Sequence, residues 1–354
     1  MSDRRSPSMF ALNAYWFAIS YLWNSLGPIV LPVLVGLLVP EAIKGSALGL
    51  LTAIGMVTAI IVQPVAGAIS DRSTSRWGRR RPYILGGTLA DMVFLLALAL
   101  APRYWFLVLA YFGLQVSSNI AHGPYQGLIP DLVPAERRGS ASGVKQLAEI
   151  LGIIVTSLAA GLLMSRGQTL VTILSIMAVL LVTVAITIWG VREEPLAGAP
   201  SRPVWSTVLD TFRVDLRRHM DFVWLIVSRL LIIVAMNLVR NYVVYYMQHV
   251  LHLSLQEAAG LAGNLLAIVA VSIAVIVYPA GMLSDRVGRR SLLVASGLLG
   301  AIGSLLLLWV RSYGHLLVFG GILGLSMGVF LSVNWALLMD VIPDEEAGRY
   351  LGLS

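Results

Sequence analysis

The chain has 354 residues, of which 58% are hydrophobic and only 12% charged, against roughly 25% charged in a soluble domain, which excludes an ordinary water-soluble enzyme. A formal net charge of +7 would argue for nucleic acid only if the basic residues gathered on one soluble face; they sit instead in short loops between apolar runs, so the expected partner is the lipid bilayer and not nucleic acid. There is no cysteine and no HExxH or GxxxxGK[ST] string, so nothing in the sequence calls for a metal, a cofactor, a cysteine nucleophile or ATP drive.

A hydrocarbon core about 30 Å thick takes about 20 mainly apolar residues per helix. Ten stretches meet that need, at 9 to 36, 46 to 70, 83 to 101, 104 to 128, 140 to 165, 169 to 191, 222 to 250, 256 to 283, 291 to 310 and 314 to 342. The predicted class is therefore an all-α membrane protein. The leading MSDRRSPS is followed by an apolar run far longer than a signal's h-region, and reads as a short cytoplasmic tail. Counted over alternate loops, one side of the membrane holds 18 of the 25 Lys and Arg residues. Cytoplasmic loops retain such residues, so the N-terminus is expected inside, at the plasma (inner) membrane. The polar stretch 192–221, with Pro195, Pro200 and Pro203, divides the chain into an N-terminal part, 1–191, and a C-terminal part, 222–354.

Polar residues inside these spans are the functional candidates, because each costs free energy in hydrocarbon. The first span carries Asn13, Ser20 and Asn24 beside Trp16 and Trp23, and aromatic faces next to amides suit sugar rings; Trp16 by itself reads as part of an interfacial belt. Asp71 closes the second span, at a helix end whose dipole disfavours a carboxylate unless arginines meet it. Asp91 is a deep acid in the third span. The fourth span places Gln115, Ser118, Asn119, His122 and Gln126 on one face, which either lines a cavity or bonds to other helices. Lys145 and Glu149 in the fifth form an i, i+4 pair with Gly152 and Thr156 on the same face; this is either a proton site or a static ion pair. The seventh span holds Arg229 and Arg240 with Asn237 and Asn241, and such guanidinium groups need acids, carbonyls or an anionic substrate, so acidic and neutral solutes both stay open. His249 and His252 are too few for a metal site. Asn334 and Trp335 in the tenth span offer a comparable amide and aromatic pair.

Two signals recur. Gly67, Ser70, Asp71, Arg72, Gly78, Arg79 and Arg80 match Gly281, Ser284, Asp285, Arg286, Gly288, Arg289 and Arg290, and Asp131, Pro134, Glu136 and Gly139 match Asp340, Pro343, Glu345 and Gly348. The offsets run from 214 through 210 to 209, as expected when one half of a transporter copies the other. In the first half two further spans follow the second signal, so by the repeat roughly 40 to 50 residues are expected beyond Ser354, and the sequence reads as a C-terminally truncated piece of a twelve-helix protein.

The string GAISDRSTSRWGRRRP, with DRVGRR as its copy, resembles the loop signature of the major facilitator superfamily. Preceded by QPVAG, its longer form SDRSTSRWGRRRPYI is similar to the sucrose-transporter branch and related sugar and cation symporters. The resemblance implies the major facilitator fold, two pseudo-symmetric six-helix halves, here ten transmembrane helices with the last two missing. It implies a monomeric secondary active transporter that moves a small polar solute, a sugar or sugar derivative, by alternating access with a coupling proton. The gating residues would be Gly67, Asp71, Arg72, Gly78, Arg79, Arg80, Asp131, Glu136 and Arg137, with Asp285, Arg286, Gly288, Arg289 and Arg290 in the copy. Asn24, Asn119, His122, Gln126, Arg240, Asn241 and Asn334 are the substrate-binding candidates, and Glu149 and Asp91 the proton-coupling ones. Two departures stand out: Gln115 occupies the place of a fourth-helix aspartate, and the second span has no acid before Asp71. An exporter of drugs or metabolites from the same superfamily and a non-transporting truncated copy are the alternative readings.

Overall fold

A computed structural model describes residues 8–134, 137–193 and 220–341. Glu136, Glu345, Gly348 and all but the ends of the stretch 192–221 lie outside the described residues, as do the side chains of Asp285, Trp335 and Asp340. The chain divides into two compact units, 1–208 and 209–354. The described part of the first contains α1 (Met9–Ser25), α2 (Leu31–Leu38), α3 (Lys44–Ser70), α4 (Arg81–Ala99), α5 (Tyr104–Gln126), the short α6 (Leu128–Leu132), α7 (Arg138–Ser165) and α8 (Thr169–Gly190). That of the second contains α9 (Met220–Leu251), α10 (Leu255–Val287), α11 (Arg289–Leu306) and α12 (Tyr313–Val341). No strand occurs among the described residues.

Nine helices among the described residues are long and apolar enough to cross a bilayer, the first of them running from Met9 to Leu38. The tenth expected span, α5, has 23 residues and hence the length, but it falls short in apolarity. Gln115, Ser117, Ser118, Asn119, His122 and Gln126 all lie on it. Its polar residues are tolerated because α3 and α4 pack along it, and protein rather than lipid covers Gln115, Ser117, Ser118 and Asn119. Elsewhere the outward faces are apolar: Ile60, Ile61, Leu109, Val182, Leu231 and Val294 are all exposed, the arrangement of helices solvated by hydrocarbon.

The first span is not a single uninterrupted α-helix. A π turn, Leu26–Val30, joins α1 to α2. Pro28 lies inside it and Pro32 one turn on; each removes a backbone donor, so the i to i−4 ladder is rearranged there. Ser25 Oγ donates to the carbonyls of Tyr21, at 2.8 Å, and Leu22, at 3.1 Å. At the start of α10, Ser254 and Glu257 form a capping box, with each side chain accepting from the other residue's backbone N–H.

In the first unit α1 packs on α7 and α8, while α3 and α4 both pack on α5. In the second unit α10 and α11 both pack on α12, so the α3, α4, α5 arrangement recurs as α10, α11, α12. The repeated glycines lie at these crossings. A Cβ built on Gly67 would lie 3.8 Å from the Gly123 carbonyl oxygen, and one on Gly281 would lie 3.1 Å from Ser332 Oγ. Small residues at such points let helix backbones approach closely. The repeat read from the sequence is thus also a repeat of helix contacts.

Candidate functional site

Two constellations in the first unit and one cavity in the second hold a minority of the predicted residues. The first constellation lies where α3 ends and α4 begins. Arg80, whose side chain is 8% exposed, reaches Asp71 Oδ1 through Nη2 at 2.7 Å and Asp131 Oδ2 through Nε at 2.6 Å. Its Nη1 donates to the Pro124 carbonyl at 3.1 Å. Arg79 also pairs with Asp131. Burial disfavours the charge on Arg79, but the hydrogen bond to Asp131 and the charges of Asp131, Asp71 and Glu193 outweigh it and hold the guanidinium pKa above its ordinary value. One arginine therefore ties the end of α3, the end of α5 and the short α6 together, and the planar five-donor fork is what permits it.

A residue that the sequence did not single out completes this cluster. Glu193 Oε2 accepts from the backbone N–H groups of Arg80 and Arg81, both at 3.0 Å. The carboxylate thus satisfies two of the orphan donors at the start of α4 and sits at the positive end of its dipole. Arg81 in turn donates to the Ile188 carbonyl at the end of α8. Gly78 precedes this turn with φ of +104°, and the copy Gly288 has φ of +95°, conformations that only glycine adopts readily. Ser70 Oγ donates to the Gly67 carbonyl and Ser284 Oγ to the Gly281 carbonyl, each at 2.7 Å. The repeated Gly and Ser positions therefore carry repeated geometry. Arg72 and Arg289 are half-buried, whereas Arg137, Arg286 and Arg290 are exposed.

The second constellation lies within the membrane-depth part of the unit and joins α1, α3, α5 and α7. His122 is half-buried, with Nδ1 at 3.2 Å from Gln63 Nε2 and Nε2 at 3.2 Å from Gln126 Nε2. The Trp16 ring meets His122 edge-on at 5.2 Å and Tyr125 at 5.1 Å. Tyr125 in turn accepts from the Trp16 backbone N–H at 3.2 Å and donates to the Leu12 carbonyl at 2.7 Å. Lys145 Nζ stands 4.0 Å from the centroid of the Trp16 ring and 3.6 Å from Glu149 Oε1. The side chains of Lys145 and Glu149 are 33% and 25% exposed. Ser20 Oγ donates to the Glu149 carbonyl at 2.7 Å and Thr156 Oγ1 to the Tyr21 carbonyl at 2.9 Å, so α7 presents the Lys145 and Glu149 face towards α1. Trp16 is only 5% exposed; it is a centre of the cluster and not an interfacial anchor.

Other candidates are placed elsewhere. Asp91 is fully buried in the seam between α4 and α5, where Ser117 Oγ donates to it, apart from the Lys145 and Glu149 pair. The Asn24 amide donates to the Ser20 carbonyl at 2.8 Å, and that of Asn119 to the Gln115 carbonyl at 2.7 Å; both side chains are engaged by their own helices. Sequence reasoning missed Gln63 and Tyr125, although an amide in the second span and a tyrosine on the polar fourth helix are signals of the kind used for His122.

In the second unit α9, α10 and α12 enclose a cavity of about 300 Å³, with Asn237, Arg240, Tyr242 and Tyr246 among otherwise apolar walls such as Leu265, Val269 and Met327. Tyr246 OH donates to the Leu307 carbonyl at 2.5 Å. Asn241, Arg229 and Asn334 do not line it. Asn334 is 2% exposed, and its Nδ2 has no hydrogen-bond partner among the described residues.

Among curated proteins, the chain is 25% identical over 306 residues to the glucuronide carrier protein homolog of Escherichia coli (strain K12), a match covering 81% of this chain and 64% of the relative. It is 26% identical over 123 residues to the sucrose transport protein SUC3 of Arabidopsis thaliana, covering 28% of this chain and 21% of that one. The chain thus spans less than two thirds of the length of these relatives. Among solved structures, a D-xylose-proton symporter superposes with a TM-score of 0.66 at 18% identity, covering 98% of this chain and 85% of that one, a likeness of fold. The sequence profile of the Major Facilitator Superfamily matches residues 6–354, nearly the whole chain including both loop signatures, and the chain belongs to that superfamily.

Proposed function

We propose that the protein is a secondary active transporter that moves a small polar solute, a sugar or sugar derivative, across the plasma (inner) membrane by alternating access, with a proton as coupling ion. It works as a monomer of two helical halves, 1–191 and the part from 222 onward, joined by a cytoplasmic linker, with the N-terminus inside. The observation that carries this reading is the half-buried Lys145 and Glu149 pair beside Trp16, Gln63, His122 and Gln126. Ionisable groups at that depth are costly and are retained where they serve a pathway or a relay, while uncharged donors and acceptors beside an indole suit hydroxyl-rich rings. The names of the relatives, a glucuronide carrier homolog and a sucrose transport protein, support the same substrate class. Arg79, Arg80, Asp71 and Asp131 supply a gate whose ion pairs form in one conformation and part in another.

The test is sugar uptake into liposomes containing the protein. Glu149→Gln abolishes accumulation driven by a pH gradient and spares solute exchange; accumulation equal to that of the unmodified protein rejects Glu149 as the coupling site. A second reading, export of an amphipathic drug or metabolite, is favoured by the apolar walls around Arg240. It predicts that Arg240→Gln impairs efflux of an amphipathic anion while sugar uptake is absent throughout.

A further inference from the structure

The ammonium of Lys145 makes two close side-chain contacts, with Glu149 and with the Trp16 ring. Its distance from Glu149 Oε1, 3.6 Å, is longer than a charge-assisted hydrogen bond of about 2.7–2.9 Å. Its other contact is the face of the buried Trp16 ring, at 4.0 Å. Trp16 supplies a second, independent signal: its Nε1 is buried and has no hydrogen-bond partner among the described residues, in a side chain that is 5% exposed. Buried donors are nearly always satisfied, so a donor left open beside a displaceable cation points to an acceptor brought by a ligand.

The surroundings make Lys145 decisive for Glu149. Neither α1 nor α8 carries Asp, Glu, Lys, Arg or His, and the hydroxyls of Tyr15 and Tyr21 bond to Thr88 and Ser175. From α5, Tyr125 is within electrostatic reach of Glu149 and His122 within reach of Lys145; His122 meets Gln63 and Gln126 through its two nitrogens. Asp91 is held by Ser117 in a different seam. On the elements that surround it here, Glu149 has one cationic neighbour.

We propose that Lys145 is a cation shared between Glu149 and a carboxylate on the solute. A uronic acid type of sugar draws the ammonium off Glu149, and Glu149, left without a counter-charge at membrane depth, takes a proton from water. One negative charge arrives, one proton is bound, and the site's net charge is unchanged. A single ammonium matches a single carboxylate, whereas a phosphate dianion would need a second cation. Solute and proton then bind with positive linkage, each raising the affinity for the other, while a neutral sugar leaves the pair in place and binds no proton.

This rests on the sugar-transport reading and is tested with purified protein in weakly buffered detergent, titrated with glucuronate and with methyl glucoside. Tryptophan fluorescence reports binding and a pH indicator reports proton uptake. Glucuronate is expected to bind with uptake of about one proton per protein, and methyl glucoside to bind with none. Lys145→Gln weakens glucuronate about tenfold or more and abolishes the uptake; Lys145→Arg retains glucuronate binding and serves as the folding control. Glu149→Gln binds glucuronate at least as tightly as before, with no proton taken up. Equal proton uptake with both sugars, or undiminished glucuronate binding by Lys145→Gln, overturns the shared-cation proposal while the sugar reading stands. If the folded protein binds neither sugar, both fall.

Discussion

Arg80 concentrates the logic of the loop signature in one side chain. It is anchored by two aspartates and a carbonyl, and its space is kept open by Gly127, where a Cβ would fall 2.0 Å from Nη1. Glu193 holds the backbone of the same turn. The two glycines of positive φ separate these contributions. At Gly288 a Cβ meets nothing within 4 Å, whereas at Gly78 it falls 2.6 Å from Glu193 Oε2 and 2.7 Å from Glu193 Cβ. Gly288→Ala therefore pays only for its backbone conformation, of the order of 1–3 kcal/mol. Gly78→Ala costs a similar amount and also pushes Glu193 off the start of α4, losing about 1 kcal/mol more. Thermal unfolding of the two variants in detergent should place Gly78→Ala lower; equal losses would mean that Glu193 contributes nothing to the turn.

At the scale of elements, the crossing of α1 and α7 builds the membrane-depth cluster. A Cβ on Gly152 would lie 2.7 Å from the Phe17 carbonyl oxygen and 2.8 Å from Ser20 Cβ, so the two helices meet there backbone to backbone. Gly152→Val forces them apart, disrupting the Ser20 to Glu149 and Thr156 to Tyr21 hydrogen bonds at a cost of about 1–3 kcal/mol. Uptake by liposomes should collapse, whereas Gly143→Ala, on the same helix with open space around it, should keep it. The same crossing shows which features the sequence could carry. Spans, the loop signatures and the Lys145 and Glu149 pairing were legible because each is local, set by a run of apolar residues, a repeated string or a spacing of four. The place of Trp16 was not legible, because a tryptophan near the start of a span has the same sequence whether it faces headgroups or a seam closed by Tyr125, 109 residues away. Glu193 was hidden for the same reason, 113 residues from Arg80. The polar face of α5 was legible from its spacing, but not that α3 and α4 pack along it and cover Gln115, Ser118 and Asn119.

For the whole molecule the decisive question is whether the repeated loops act as latches or only mark topology. Topology requires arginines and nothing else. The repeated positive φ at Gly78 and Gly288 and the matching Ser70 and Ser284 hydrogen bonds are additional to that requirement, which favours a mechanical role. Asp71 is the member to remove, because its side chain is 50% exposed and Arg80 keeps Asp131 when it is gone, so the unit should still fold. Asp71 also lies eight residues beyond Gln63 on the α3 segment, about 12 Å along the axis at 1.5 Å per residue, too far to touch a solute held at His122. Asp71→Asn therefore leaves solute affinity within about threefold while weakening the conformation in which the ion pairs are made, a shift of population and not of binding. Exchange turnover in liposomes should fall about tenfold, equivalent to about 1.4 kcal/mol on the rate-limiting step. Turnover equal to that of the unmodified protein would reduce the signature to a topological marker, and a loss of affinity matching the loss of rate would place Asp71 in the binding path instead.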